Sequence, residues 1–301
     1  MYKFINFILI SILAGLVLSC DSFERDIDIE LPEIEKELVV ECYLQPGQPY
    51  RVILTETKSY FENLQACPFV QGATVVIEHN GVRDTLTEAS IYLPGSCDDS
   101  TLSIPINYPI LLNTRFANYG STKICPKDYN SDFKLEIHDH INNRVATAVT
   151  RILPPVPLTE IKTEFDEAGE EAYALVSAQD DGSQVNFYRL MLHEGELADN
   201  STFPPTANNP EFDAVIDDAR FFNGKLVALG TSYKFSEGDT LIATIYHIDK
   251  TYHDYLETAR DAQSNNGNPF GQPGTILTNI DGGQGVFTSL SYDRDTVIVS
   301  K

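Results

Sequence analysis

The sequence predicts a mainly β protein: an N-terminal immunoglobulin-like antiparallel sandwich followed by a second β-rich domain that carries one α-helix. Three observations carry this expectation. Short apolar runs with a two-residue period recur from residue 38 onward. Turn dipeptides such as Asn80-Gly81, Asn142-Asn143 and Asn223-Gly224 punctuate them. A helical period is sustained in one stretch only, from residue 251.

Taken in order, Leu38, Val40, Cys42 and Leu44 share one face of a first strand. Gln45-Pro46-Gly47-Gln48-Pro49 turns the chain into a second strand over residues 51–57. Residues 73–79 and 82–86 flank Asn80-Gly81, the dipeptide preferred where both turn positions need positive φ. Residues 134–141 and 144–152 flank Asn142-Asn143 in the same way. Short strands, frequent turns and almost no helical periodicity make this part sandwich-like.

Pro154-Pro155-Val156-Pro157 removes ladder donors and stiffens the backbone, which places a domain boundary there. The N-terminal domain then covers residues 37–153 and the C-terminal domain residues 158–301. In the latter, strands 173–178 and 185–193 are joined through Asp180-Asp181-Gly182, and 220–222 and 225–229 through Asn223-Gly224. Residues 195–214, rich in Pro, Asn and Asp, read as a long surface loop. A strand over 240–248 follows Glu237-Gly238-Asp239. Thr251 and Asp254 form a capping box, and Tyr252, Tyr255, Leu256 and Ala259 then share one helical face. Asn266-Gly267 and Pro269 end that helix, and strands over 286–292 and 296–300 finish the chain.

The chain has 301 residues, 44 acidic against 21 basic side chains, and a net charge of −23. An apolar fraction of 42% is enough for ordinary cores. Such acidity excludes nucleic acid as a partner, because phosphate contacts need clustered Lys and Arg. Attachment to anionic lipid by charge is excluded for the same reason.

Met1-Tyr2-Lys3 supplies a positive start, and residues 4–18 are apolar apart from Asn6, Ser11 and Gly15. That run is shorter than the roughly 20 residues of a spanning helix and suits a secretory signal. It ends in Val17-Leu18-Ser19-Cys20, which resembles a bacterial lipobox. Residues 1–19 are then a lipoprotein signal peptide, and Cys20 becomes a mature N-terminus with a diacylglycerol on sulfur and an acyl chain on nitrogen. Each buried methylene contributes about 0.8 kcal/mol, so three chains make the anchor effectively permanent. The membrane is thus a partner through the lipid at Cys20. Residues 20–36 read as lipidated Cys and tether, since residues 21–41 hold nine acids against Arg25 and Lys36. Like charges extend such a chain.

Beyond Cys20 four cysteines remain, Cys42, Cys67, Cys97 and Cys125, and an even number in an exported chain favours two disulfides with three possible connectivities. Cys97–Cys125 would close the irregular segment between them. Cys42, on the apolar face of its strand, reads alternatively as a buried free thiol. His138 and His140 share a strand face about 7 Å apart and are weak metal candidates. Nothing in sequence supplies a third ligand, so no metal is expected. Asp180-Asp181-Gly182 and Asp217-Asp218 raise the question of calcium, but neither has the ligand spacing of an EF-hand and turn chemistry explains the first. The chain has no G-x-S-x-G motif, and no carboxylate pair stands out, so the expectation is a protein that is not an enzyme. No cofactor is expected either: the glycine-rich run 279–285 lacks the Lys-Ser/Thr of a P-loop. Its glycines are expected to permit a tight turn or close packing against the helix.

Ile248-Asp249, Tyr252, Tyr255-Leu256, Asn265, Gly267-Asn268-Pro269-Phe270, Pro273, Asn279-Ile280 and Gly282-Gly283-Gln284-Gly285-Val286-Phe287 form a specific constellation. It resembles the C-terminal region of an uncharacterised Bacteroidetes lipoprotein family, domain of unknown function 4249. Leu38-Val39-Val40-Glu41 and Gly72-Ala73-Thr74-Val75 fit it as well, so the resemblance spans roughly residues 36–300. Cys42 stands where Gly is expected, which leaves the disulfide pairing open. Members of that family look like outer-membrane lipoproteins associated with TonB-dependent transporters, and no catalytic residues are assigned to them. Acid-rich residues after Cys20 resemble the signals that send lipoproteins to the outside of the outer membrane in Bacteroidetes. The resemblance implies a surface-exposed outer-membrane lipoprotein acting as a non-catalytic accessory or ligand-binding subunit of a TonB-dependent nutrient transporter. The alternative is a structural or adhesive envelope lipoprotein without a transporter.

Overall fold

The computed structural model describes residues 35–59, 69–88, 117–195, 210–218, 226–265 and 274–301. Cys20, Cys67, Cys97, the tether up to residue 34 and the Asn223-Gly224 turn lie outside the described residues. Residues 36–301 form one compact unit. In chain order its strands are β1 (Leu38–Leu44), β2 (Pro49–Glu56), β3 (Thr74–His79), β4 (Val82–Glu88), β5 (Tyr119–Ile124), β6 (Asp132–Asp139) and β7 (Arg144–Arg151). There follow β8 (Leu158–Phe165), β9 (Ala172–Gln179), β10 (Phe187–Glu194), β11 (Phe212–Asp217), β12 (Leu226–Gly230) and β13 (Thr240–Ile248). Helix α1 (Lys250–Asn265), β14 (Gly283–Ser289) and β15 (Ser291–Ile298) complete the series. The protein is mainly β with one helix among the described residues, and that helix is too short and polar to cross a membrane.

Eight strands form the first sheet in the order β14-β1-β2-β5-β4-β3-β6-β7. Every pairing in it is antiparallel except that of β1 with β14, which is parallel and runs from Leu38↔Gly283 to Leu44↔Ser289. The two ends of the order meet: Thr147 of β7 and Asp281 exchange both backbone hydrogen bonds, at 2.9 and 2.8 Å. This sheet therefore closes on itself around a core of Val40, Cys42, Val52, Leu54, Ile77, Phe133, Ile137 and Phe287. Two smaller sheets, β11-β10-β13-β15 and β12-β9-β8, share a second core built from Ala174, Val176, Leu190, Ile216, Ala243 and Ile245. A face-to-face sandwich is thus seen in residues 158–301, whereas the strands before Pro154 form the continuous sheet that β14 completes.

Local chemistry explains where strands end. Asn80 (φ 49°) and Gly81 (φ 76°) make the expected two-residue hairpin between β3 and β4. Between β6 and β7 only Asn143 (φ 51°) is left-handed. There Asp139 Oδ1 accepts the Ile141 and Asn142 amides, so the strand stops two residues short of the expected 141 and a longer turn follows. β11 occupies the end of the segment expected as loop, because Tyr188 and Leu190 of β10 offer it an edge and a core. β13 is a near-continuous apolar run because both its faces are covered. Its Leu241, Ala243 and Ile245 join the sandwich core, while Tyr246 and Ile248 face a third cluster with Tyr43, Met191, Tyr252, Val286 and Leu290.

Helix α1 is capped two residues earlier than the sequence pattern suggests. Asp249, not Thr251, is the N-cap: its Oδ1 accepts the Tyr252 amide at 2.7 Å. Asp254, the expected capping-box partner, is drawn instead to Lys250 and His253. Tyr252 and His253 are buried, with Tyr255 and Leu256 packed beside Tyr252 in the third cluster.

Candidate functional site

The glycine-rich run is a packing device between strands. A Cβ on Gly282 (φ +82°) would lie 2.1 Å from the Val145 carbonyl oxygen of β7. One on Gly285 (φ +105°) would lie 2.0 Å from that of Val40 in β1. These glycines therefore press against β1 and β7 backbone rather than against the helix, as the sequence had suggested. Asn279 reinforces the run by bonding both backbone groups of Phe287, Oδ1 to its amide (2.9 Å) and Nδ2 to its carbonyl (2.7 Å). Val286 then enters the third cluster and Phe287 the first core. Asp249 ties the same seam from below, its Oδ2 accepting hydroxyl bonds from Thr150 (3.1 Å) and Thr288 (3.2 Å).

Behind α1, the Arg189 guanidinium is buried and holds Asp213 through Nε (2.9 Å) and Nη2 (2.8 Å), with Nη1 donating to the Tyr252 hydroxyl (3.2 Å). Arg260 of the helix adds a second cation on Asp213 at 3.1 Å. Burial pushes Asp213 upward, but the two arginines outweigh it and hold the carboxyl below its usual range.

A groove of about 980 Å³ opens over β2, β5 and β4, lined by Tyr50, Arg51, Asp84, Glu88, Ser121 and Lys123 among others. It exists because neighbouring strands diverge. The β2–β5 register shifts between Pro49 and Arg51, and β4 meets β5 only at Thr87↔Gly120 and Glu88↔Tyr119. On its floor Asp84, 8% exposed, accepts the Ser121 hydroxyl (2.5 Å) and the Lys123 ammonium (2.8 Å). Charges of both signs and several hydroxyls make this a polar surface. Among the described residues its lining contains neither His nor Cys, and the groups it presents are hydroxyls, carboxylates and cations. Sequence reasoning missed it, because the strand that carries Ser121 and Lys123 has no alternation: its residues run from buried Tyr119 through half-buried Ser121 to exposed Thr122, Lys123 and Ile124.

The other expected site residues are placed as follows. Cys42 and Cys125 are buried free thiols in the first core. Burial pushes the Cys125 thiol up to about 12 and raises Cys42 as well. Cys67 and Cys97 lie outside the described residues, and so does any pairing that needs them. The His138 and His140 rings stack with centroids 6.4 Å apart, and His140 Nε2 meets the Thr74 hydroxyl at 2.8 Å. Asp139 points to the other face, locked by Arg144 Nε at 2.8 Å. Among the described residues no three His, Cys, Asp or Glu side chains gather as a metal-binding group. Asp180 and Asp218, far apart in sequence, do come together, both bonded to Asn186.

Comparison with known proteins gives one family. The model described as "Domain of unknown function (DUF4249)" matches residues 24–296. Among curated proteins nothing matches. Two solved structures titled as a cytokine receptor complex are similar at low level. Crystal form 1A shares 10% identity, covering 86% of this chain and 95% of that one, with a TM-score of 0.26. Crystal form 2 shares 9% identity, covering 71% and 92%, with a TM-score of 0.27. Likenesses of that size carry no argument about this fold. The seam residues Asp249, Asn279 and Gly282 to Phe287 all fall inside the matched span, and the chain belongs to the DUF4249 family, a domain of unknown function.

Proposed function

We propose that this protein is a lipid-anchored outer-membrane protein, displayed at the cell surface, and a non-catalytic accessory or ligand-binding subunit of a TonB-dependent nutrient transporter. The observation that carries the reading is the N-terminal order of segments. An apolar run ends in Val17-Leu18-Ser19-Cys20, an acidic stretch follows, and the compact unit begins at Lys36. Such an order suits a folded β body held near a membrane by acyl chains, at a distance set by a self-repelling tether. The polar groove over β5 is where a small hydrophilic nutrient or a partner's loop would be held.

Two measurements test this. Cells fed labelled palmitate should incorporate it into the wild-type chain and not into Cys20→Ala, which should leave the membrane fraction. Affinity purification of the full chain in mild detergent should recover a TonB-dependent barrel. Palmitate labelling without any such barrel would favour the structural or adhesive envelope role. An unacylated N-terminus would overturn the anchor itself.

A further inference from the structure

The sandwich holds an oxygen cluster that the proposed function does not use. Asp180 follows β9, Asn186 precedes β10 and Asp218 follows β11, so one corner brings together ends of strands from both sheets. Asp180, Asn186 and Asp218 are 5%, 2% and 0% exposed. Four oxygens converge on one atom, Asn186 Nδ2: Asp180 Oδ1 at 3.1 Å, the Asp181 carbonyl at 2.9 Å, the Gln184 carbonyl at 3.2 Å and Asp218 Oδ2 at 3.1 Å. An amide nitrogen has two hydrogens, so it cannot satisfy four acceptors. Tyr188 donates its hydroxyl to Asp180 Oδ1 at 2.6 Å, and the Asn186 amide donates to Asp218 Oδ2 at 2.8 Å. The other Asp218 oxygen, Oδ1, is buried and receives no donor.

A buried carboxylate oxygen without a donor is costly, and here its neighbour is a second carboxylate. His247, whose ring packs against Tyr188, gives its Nδ1 to the Pro154 carbonyl at 2.7 Å rather than to these carboxylates. Carboxylate oxygens and backbone carbonyls around one point are the ligand set of a hard cation, calcium above all, rather than of zinc, which wants His and Cys.

We propose that Asp180, Asp218 and the carbonyls of Asp181 and Gln184 form a calcium site, with Asn186 swinging to offer Oδ1 in place of its amide nitrogen. The two acidic motifs, neither an EF-hand alone, would each give one carboxylate. The ion would pin the end of β9 in one sheet to β10 and β11 in the other, clamping a corner of the sandwich. This inference is independent of where the chain is anchored.

The test is thermal unfolding of the purified full chain, stripped with EGTA, with and without CaCl2. Saturating CaCl2 should raise the midpoint by about 5 °C or more. TbCl3 should give tyrosine-sensitised emission, since Tyr188 adjoins the site and the chain has no Trp, and CaCl2 should quench it. Asp218→Asn should lose both responses. Should that variant fail to fold, Asn186→Asp supplies the check: it should melt earlier than wild type in EGTA and show a larger calcium shift. A wild-type midpoint indifferent to CaCl2 overturns the proposal, and so does an equal shift in Asp218→Asn, which would place the ion elsewhere on the acidic surface. Stabilisation on acidification to pH 5 without any calcium response would overturn it in favour of a proton shared between the two carboxylates.

Discussion

Asp249 bonds to the first turn of its own helix α1 and to two strands remote in sequence, at Thr150 of β7 and Thr288 of β14. Asp249→Ala removes a cap and leaves two hydroxyls without their acceptor, so it should cost about 2 kcal/mol, read as a lower urea midpoint. The sequence offers acceptable caps at both 249 and 251, and the local rule picks Thr251 because it sees only the next four residues. What decides between them is the pull of Lys250 on Asp254 and of two threonines on Asp249, and neither threonine is near in the chain. Asp213 shows a second residue-scale effect. Its folded pKa is depressed by Arg189 and Arg260, so the stability it contributes is complete above the ordinary carboxylate value near 4 and is lost as pH falls through its lower folded value. Asp213→Asn leaves the Arg189 charge buried without its partner and should cost about 3 kcal/mol at pH 7. Unfolding followed from pH 6 to pH 2 should also show a shallower acid slope in that variant than in wild type.

Elements whose signals are local were readable from sequence. The β1 and β13 runs match the expected strands end to end, and Asn80-Gly81 makes the expected hairpin. The strands that escaped, β5, β8 and β11, owe their existence to neighbours rather than to their own pattern. The glycine run shows the same limit. Its need for close approach was evident, but the surface approached was not, since β1 lies some two hundred and forty residues earlier. Gly285→Ala tests the close approach: a methyl group meeting the Val40 carbonyl at 2.0 Å, at a left-handed φ, should destabilise the fold by about 3 kcal/mol or more. Gly238→Ala, with positive φ and open space around it, is the control, and should lose only about 1 kcal/mol by the same urea assay.

At the level of the whole chain, β14 crosses the Pro154–Pro157 interruption to pair with β1, and Asp281 bridges β7. A fragment of residues 36–157 would carry the first seven strands but leave the β1 and β7 edges open, with Phe287 missing from the core. It should precipitate or elute as aggregate on size exclusion, whereas residues 36–301 should stay soluble. The proline interruption was visible because it is written in composition; the returning strand was not, because a parallel partner leaves no turn between the two runs to announce it. There is a mechanical side to this closure. Tension applied at residue 36 enters along the axis of β1, which is gripped on one side by β2 and on the other by the full seven-pair ladder of β14. Such a load shears a whole row of bonds together instead of peeling them one by one, so the first described strand is well placed to resist being dragged out.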